Sequence, residues 1–267
     1  MKKLLMQSDD YGITDAVSDG VIKGITKGII RNTGMFVNMD SSKLAAEKIK
    51  SVDVCLGIDI NFVAGKPVSN PKEVPSLVDA DGMFITSQEQ MKKYPLKEVQ
   101  GLVAVFEEDP YPYDEVLLET ENQVKRFIEL MGRNPEYLHP HSLCTPNTIK
   151  AMKTVADKYK IIFSMDVLGN DDYNYPMDAD LLDKNRSLED QLKPDKKVRF
   201  INKFLPNIGD NEIWIYIVHC GHIDYELFKH TSLTLDRMLD LDLAIDEEII
   251  RYIKENEIEL ITYRDLV

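Results

Sequence analysis

The strongest constraint on this chain is a repeated alternation of short apolar runs with amphipathic stretches, each closed by a polar turn. Residues 4–8 form the first run, which ends in Asp9 and Asp10 with Gly12 just beyond. A helix is expected next: Thr14 as N-cap, Asp15 in the first turn, Val17, Val21 and Ile25 four residues apart, and Gly28 as the C′ stop. Residues 35–39 read as a second strand, 41–50 as a second helix and 54–62 as a third strand. This order calls for parallel strands joined by right-handed crossovers.

The alternation continues through the second half. Residues 113–131 read as a long helix with Val116, Thr120, Val124, Phe127 and Met131 on one stripe. Strands are expected at 137–143, 161–167, 212–219 and 258–263, with helices at 145–158 and 246–256. Between them, residues 65–96 carry Pro67, Pro71, Pro75 and Pro95, and a loop that long inside a compact unit usually covers a site. The polar, acidic segment 170–197 reads as an excursion or lid. With no repeat and no linker in 267 residues, the expectation is one α/β domain, 1–267. Its form would be a distorted, TIM-like (β/α) barrel of about seven mainly parallel strands.

Charge and cysteine content remove several function classes. A formal charge of −14 leaves no basic surplus to neutralise phosphates, so neither nucleic acid nor an anionic membrane is expected as a partner. Cys55, Cys144 and Cys220 are widely spaced, with no CxxC pair to suggest a zinc ribbon or disulfide framework. The opening apolar run stops at Gln7, far short of a signal peptide, and no stretch approaches the roughly 20 apolar residues that span a bilayer. A cytoplasmic protein is expected.

In barrels of parallel strands, chemistry gathers at the C-terminal strand ends. Four groups fall there: Asp9 with Asp10 after the first strand, Asp59 on the third, His139 with His141 on the strand before Thr145, and His219 closing the most apolar strand. Each has a plain structural reading. Adjacent acids cap helices and form turns, and a histidine at a strand end can belong to the core. Asp59 is more telling, because an unpaired buried charge costs several kcal/mol. His139 and His141, two apart, share one side of a strand and could reach one ion, although Pro140 between them breaks strand regularity. Together the groups suit metal-assisted hydrolysis, with Asp9 as base, pointing away from the metal ligand beside it, and His219 as acid.

The same residues resemble a known family, the YdjC-like carbohydrate deacetylases, also called the chitooligosaccharide or hopanoid-deacetylase-like group. Ser8-Asp9-Asp10-Tyr11-Gly12 is similar to the family's A-D-D-F-G opening. Gly57-Ile58-Asp59-Ile60-Asn61-Phe62, followed by Gly65-Lys66-Pro67, resembles G-L-H-L-x-L with its G-x-P. The stretch from Val74 to Asp79, with Gly82 and Phe84, resembles V-P-S-L-v-D…G-x-F. Tyr137-Leu138-His139-Pro140-His141 falls on H-L-D-S-H, and Val218-His219-Cys220-Gly221 with Ile223-Asp224 falls on C-H-P-G/A. Arg237 and the segment 260–266 also fit.

The resemblance implies a distorted barrel, a divalent metal and removal of N-acetyl groups from sugars. Asp9 resembles the base, Asp10 and His141 metal ligands, and His219 the acid. Two positions depart: a metal histidine stands as Asp59 and an aspartate as His139, while Leu143 and Thr145 replace later histidines and Cys220 replaces proline. Read as a compensating exchange, this keeps the charge around the ion, adds Asp59 and His139 to the ligand set, and favours Mg²⁺, with Mn²⁺ or Zn²⁺ as alternatives.

The expected activity is therefore metal-dependent deacetylation of an amino sugar or short oligosaccharide. Tyr11 and Arg237 are candidate substrate contacts, Tyr113 and Trp214 weaker ones more often found in cores, and a homodimer is the family expectation. Two rival readings remain: a sugar-binding or regulatory relative that has lost turnover, and another metal-dependent barrel chemistry such as sugar isomerisation.

Overall fold

β1 (Lys2–Tyr11) is the strand on which the rest is assembled. Beyond its two lysines it is buried along its length, as a central parallel strand must be. It pairs over residues 2–5 with β10 (Ile258–Ile261), from Gln7 onward with β2 (Asn32–Met35), and on its other edge with β9 (Ile213–Val218). β3 (Cys55–Ile60), β6 (Tyr137–Pro140) and β7 (Ile162–Phe163) extend the sheet past β2, and β8 (Tyr173–Asn174) extends it past β9. The order is β7-β6-β3-β2-β1-β9-β8 with β10 also on β1, and every pairing is parallel. The sheet curls as a half-barrel. This computed structural model describes residues 1–176, 189 and 196–266.

Side-chain alternation along β1 sorts the core into two layers. Leu4 and Met6 join the larger cluster with α1 (Asp15–Lys27) through Val17 and Val21, with α2 (Ser42–Ile49) through Ala45 and Ile49, and with α4 (Tyr113–Met131) through Val124 and Phe127. Leu5 faces the opposite way, into the curl, with Cys55, Tyr137, Ile215, Ile261 and Tyr263. Each fully buried Val or Leu contributes roughly 1.5–3 kcal/mol relative to exposure. Thr14 caps α1 by accepting from Val17 N, and Thr145 caps α5 (Pro146–Tyr159) by accepting from Thr148 N.

Several expectations are displaced for local reasons. The second strand lies at 32–35, earlier than expected, because Asn32 works as an internal peptide surrogate. Its amide donates to Met6 O and Ile261 O and accepts from Tyr263 N, filling the point where β10 gives way to β2. Gly28 does end α1, but at φ −130°, so it supplies no left-handed C′ turn. A Cβ there would fall 2.2 Å from Ala244 O, and close approach is what excludes a side chain. The strand expected over 161–167 stops at Phe163, and Ser164 begins the short α6 (Ser164–Leu168).

The loop 65–96 holds α3 (Ser87–Lys93), opened by a Thr86–Glu89 capping box and followed by the hairpin of β4 (Leu96–Gln100) and β5 (Val103–Phe106). The lid expected over 170–197 falls largely outside the described residues. At its borders lie β8 and α7 (Lys196–Arg199). α8 (Leu235–Ala244) and α9 (Glu247–Glu255) then lead to β10. Among the described residues no helix is long and apolar enough to cross a membrane.

Candidate active site

The C-terminal ends of β1, β3, β6 and β9 open on a cavity of about 620 Å³ whose wall includes Asp9, Asp10, Asp59, His139, His141 and His219. Consecutive residues of a strand normally face opposite sides. Asp9 and Asp10 nevertheless both line this cavity, because Asp10 takes a left-handed backbone (φ 68°) and the register with β2 shifts between Ser8 and Tyr11. The expectation that Asp9 points away from its neighbour is thereby corrected. A left-handed non-glycine residue costs on the order of 1 kcal/mol and persists where surroundings hold it. Here Asp10 N donates to Asp59 Oδ2 at 2.8 Å.

Asp10 is held between a guanidinium and an imidazole. Its Oδ2 accepts from Arg237 Nη2 at 2.6 Å, and Arg237 is fully buried, with its Nε donating to Leu233 O. Its Oδ1 lies 2.8 Å from His141 Nδ1. Burial pushes Asp10 upward, but His141 and Arg237 outweigh it and hold the carboxyl well below the usual range. The His141 ring is braced edge-on by Phe36, with ring centres 4.8 Å apart.

Asp59 and His139 are register partners on β3 and β6, yet they face different company. Asp59 Oδ1 lies over the Cα of Gly34 and takes no hydrogen bond among the described residues. Burial, then the charge of Asp9, raises this carboxyl well above its ordinary value. His139 has both ring nitrogens engaged: Nδ1 lies 2.8 Å from Ser164 Oγ, and Nε2 lies 3.4 Å from Asp9 Oδ2. Burial works against protonation of His139, but the charge of Asp9 outweighs it and raises the pKa. Ser164, His139 and Asp9 have the connectivity of a hydrolytic triad. Ser164 is fully buried and off the cavity wall, so it orients His139 and is no nucleophile.

His219 approaches from the far side, with Nε2 4.0 Å from Asp9 Oδ2 and Nδ1 buried without a partner among the described residues. Its backbone N–H donates to Asp240 Oδ2, whose other oxygen takes Lys196 Nζ at 2.7 Å. Burial lowers the His219 pKa, against the charges of Asp10 and Asp9, which favours the neutral ring. Asp9 thus stands between two imidazoles. Burial raises its pKa, and the two histidines with the Gln7 amide reverse this to leave it lowered.

Tyr11 and Arg237, expected as substrate contacts, stand off the wall. The Tyr11 hydroxyl donates to Ala45 O in the core, and Arg237 acts on Asp10. Trp214 packs edge-on against Phe204, and Tyr113 shares a hydrogen bond with Thr154, so both sit in the framework. Sequence reasoning missed Gln7, Ser164, Tyr175, Phe228 and His230. Gln7 carried a usable signal, since two residues before Asp9 it shares that face of β1.

No group of three or more His, Cys, Asp or Glu side chains among the described residues is gathered tightly enough to hold an ion. Two of the donors nevertheless fit one. Asp10 Oδ1 and His141 Nδ1 are 2.8 Å apart, yet that oxygen receives no aligned hydrogen bond. In an octahedral Mg²⁺ shell with bonds of about 2.0–2.1 Å, neighbouring donors lie about 2.9 Å apart. Asp9, Asp10 and Asp59 also place three buried carboxyls on the wall of one cavity, an excess of acid that a divalent ion would balance.

Residues 3–255 match the family model described as YdjC-like protein. The chain belongs to the YdjC-like family. A relative named carbohydrate deacetylase from Clostridium beijerinckii is 24% identical over 269 residues, covering 99% of this chain and 100% of that protein. Another of that name, from Thermoanaerobacter pseudethanolicus, is 27% identical over 278 residues, covering 98% of each. The crystal structure of a putative cellobiose-phosphate cleavage protein from Enterococcus faecalis superposes with a TM-score of 0.75 at 20% identity, covering 100% of this chain and 99% of that one. This YdjC-like chain shares its fold.

Proposed function

We propose that this cavity carries out metal-dependent removal of an N-acetyl group from an amino sugar or short oligosaccharide. The supporting observation is the placement of Asp9 between two imidazoles, 3.4 Å from His139 and 4.0 Å from His219, beside the Asp10–His141 donor pair. The relatives' name, carbohydrate deacetylase, points the same way. Asp10, His141 and Asp59 are the residues that would hold the ion, and their carboxylate oxygens favour Mg²⁺ over Zn²⁺. When bound, the ion supplies acidity to a water and polarises the acetyl carbonyl. His139, with both nitrogens committed, serves Asp9 instead.

Asp9 Oδ2 takes the proton of the attacking water as the new C–O bond forms. His219, whose neutral form burial favours, receives a proton from Asp9 and delivers it to the nitrogen as the C–N bond breaks. Acetate and the free amine leave. The test is acetate release from a panel of N-acetylated amino sugars and short oligosaccharides, after chelation and after return of Mg²⁺, Mn²⁺ or Zn²⁺. Metal-restored release, lost in Asp9→Asn, is expected; silence on every sugar with every ion would sink the reading. A sugar-binding relative without turnover is the second reading, favoured by the lack of a gathered three-ligand cluster among the described residues. It predicts sugar binding without acetate release on the same panel.

A further inference from the structure

Asp9 is held from behind as well as from the cavity side. Gln7 Nε2 donates to Asp9 Oδ1 at 2.5 Å, and the Tyr263 hydroxyl donates to Gln7 Oε1 at 2.7 Å. Gln7 and Tyr263 are both fully buried, and neither lines the cavity. Tyr263 is itself fixed twice. Its ring stacks on Tyr137 with centres 4.2 Å apart, and its backbone N–H donates to Asn32 Oδ1, whose amide is tied to Met6 O and Ile261 O.

An amide can present either end, and chemistry selects one here. An ionised carboxylate only accepts, so the NH₂ group of Gln7 must face Asp9 and its carbonyl must face away. That carbonyl is buried and needs a donor, which Tyr263 supplies. Burial raises the Tyr263 pKa well above its ordinary value, so the donor proton stays in place. The outcome at Asp9 is asymmetric. Oδ1 is committed to Gln7, and Oδ2 alone is left toward His139 and His219.

From this geometry we infer that Gln7 and Tyr263 are positioning residues for Asp9, forming a buried Tyr263–Gln7–Asp9 chain that fixes which carboxylate oxygen meets the reacting proton. The inference rests on Asp9 being the base. Without the chain, the carboxyl turns toward the two imidazoles and its oxygens are shared between them, away from the attacking water. A misplacement of about 1 Å costs on the order of 10²-fold in rate.

Gln7→Met removes the amide while keeping the length of the side chain, and Tyr263→Phe removes only the hydroxyl. Acetate release by the metal-restored protein should show kcat down about 10²-fold in Gln7→Met and about tenfold in Tyr263→Phe, with KM within about twofold. Because the two act through one chain, the double variant should be no slower than Gln7→Met alone, whereas independent structural damage would multiply. Multiplying effects, or a rise in KM with kcat unchanged, would overturn the inference. A crystal structure of Gln7→Met tests it without turnover: the Asp9 carboxyl should be rotated from its wild-type orientation, and an unmoved Asp9 would overturn the inference. If the wild type releases no acetate while Asp9 does rotate, the deacetylase reading falls and the positioning chain stands.

Discussion

Gly34 offers the cleanest physical test of the site. It sits on β2 beside Asp59, and a Cβ at Gly34 would fall 1.6 Å from Asp59 Oδ1 and 2.2 Å from Asp59 Cγ. No relaxation of a few tenths of an ångström relieves that overlap, so in Gly34→Ala the Asp59 side chain must leave its place. It then abandons Asp10 N, which it now accepts from at 2.8 Å. Forcing extra volume into a filled core costs about 1–3 kcal/mol, and a buried donor left unsatisfied costs about 1–3 kcal/mol more. The expected loss is about 4 kcal/mol of unfolding free energy. In an Asp59→Ala background the space is already vacant, and the same substitution should cost under about 1 kcal/mol, giving a coupling of about 3 kcal/mol. Urea unfolding of the four proteins in the double-mutant cycle, without divalent ions, measures this. Equal losses in both backgrounds would refute the claim that Asp59 is held against Gly34.

Two further outcomes follow from paired charges, one buried and one partly exposed. Arg237→Met should destabilise the fold by about 3–5 kcal/mol, because it strands the Asp10 carboxylate away from water; a loss below about 1 kcal/mol would contradict the buried pair. Glu136 receives Arg264, Leu56 N and Arg133, and although burial opposes them these partners hold its carboxyl down to about 2. A depressed folded pKa adds stability above the unfolded value, lost as pH falls toward the folded one. Glu136→Gln should therefore cost roughly 1–2 kcal/mol near pH 6, discounted for partial exposure, with the difference from wild type fading between pH 4.5 and about 2. A pH-independent difference in urea titrations would argue against it.

The alternation of strands and helices was readable because each apolar run is short and each helix carries its cap and stripe. α4 spans Tyr113–Met131 as its stripe predicts. What the pattern hid was polar structure in central places. Asn32 and Thr33 give β2 no apolar signature, yet they are fully buried and bonded. α8 was missed because Asp236, Arg237 and Asp240 make it look solvated, whereas all three are buried. At the cavity, polar residues at strand ends led to Asp9, Asp10, Asp59, His139, His141 and His219 on its wall. Their relations were not readable. The left-handed turn at Asp10 depends on an acceptor 49 residues away, and the engagement of His139 depends on Ser164, 25 residues on, at a point where the expected strand becomes a helix.

β1 has a further consequence for how the molecule is made. It precedes every other strand of this sheet along the chain, yet β9, on one of its edges, and β10, at the start of the other, lie more than 200 residues later, so both places stay open through most of synthesis. Such distant pairing slows folding and leaves a sticky nascent intermediate. Sequestering the exposed first strand until the last arrives is a task for chaperones, and output from expression hosts should track chaperone supply more than the stability of the finished fold.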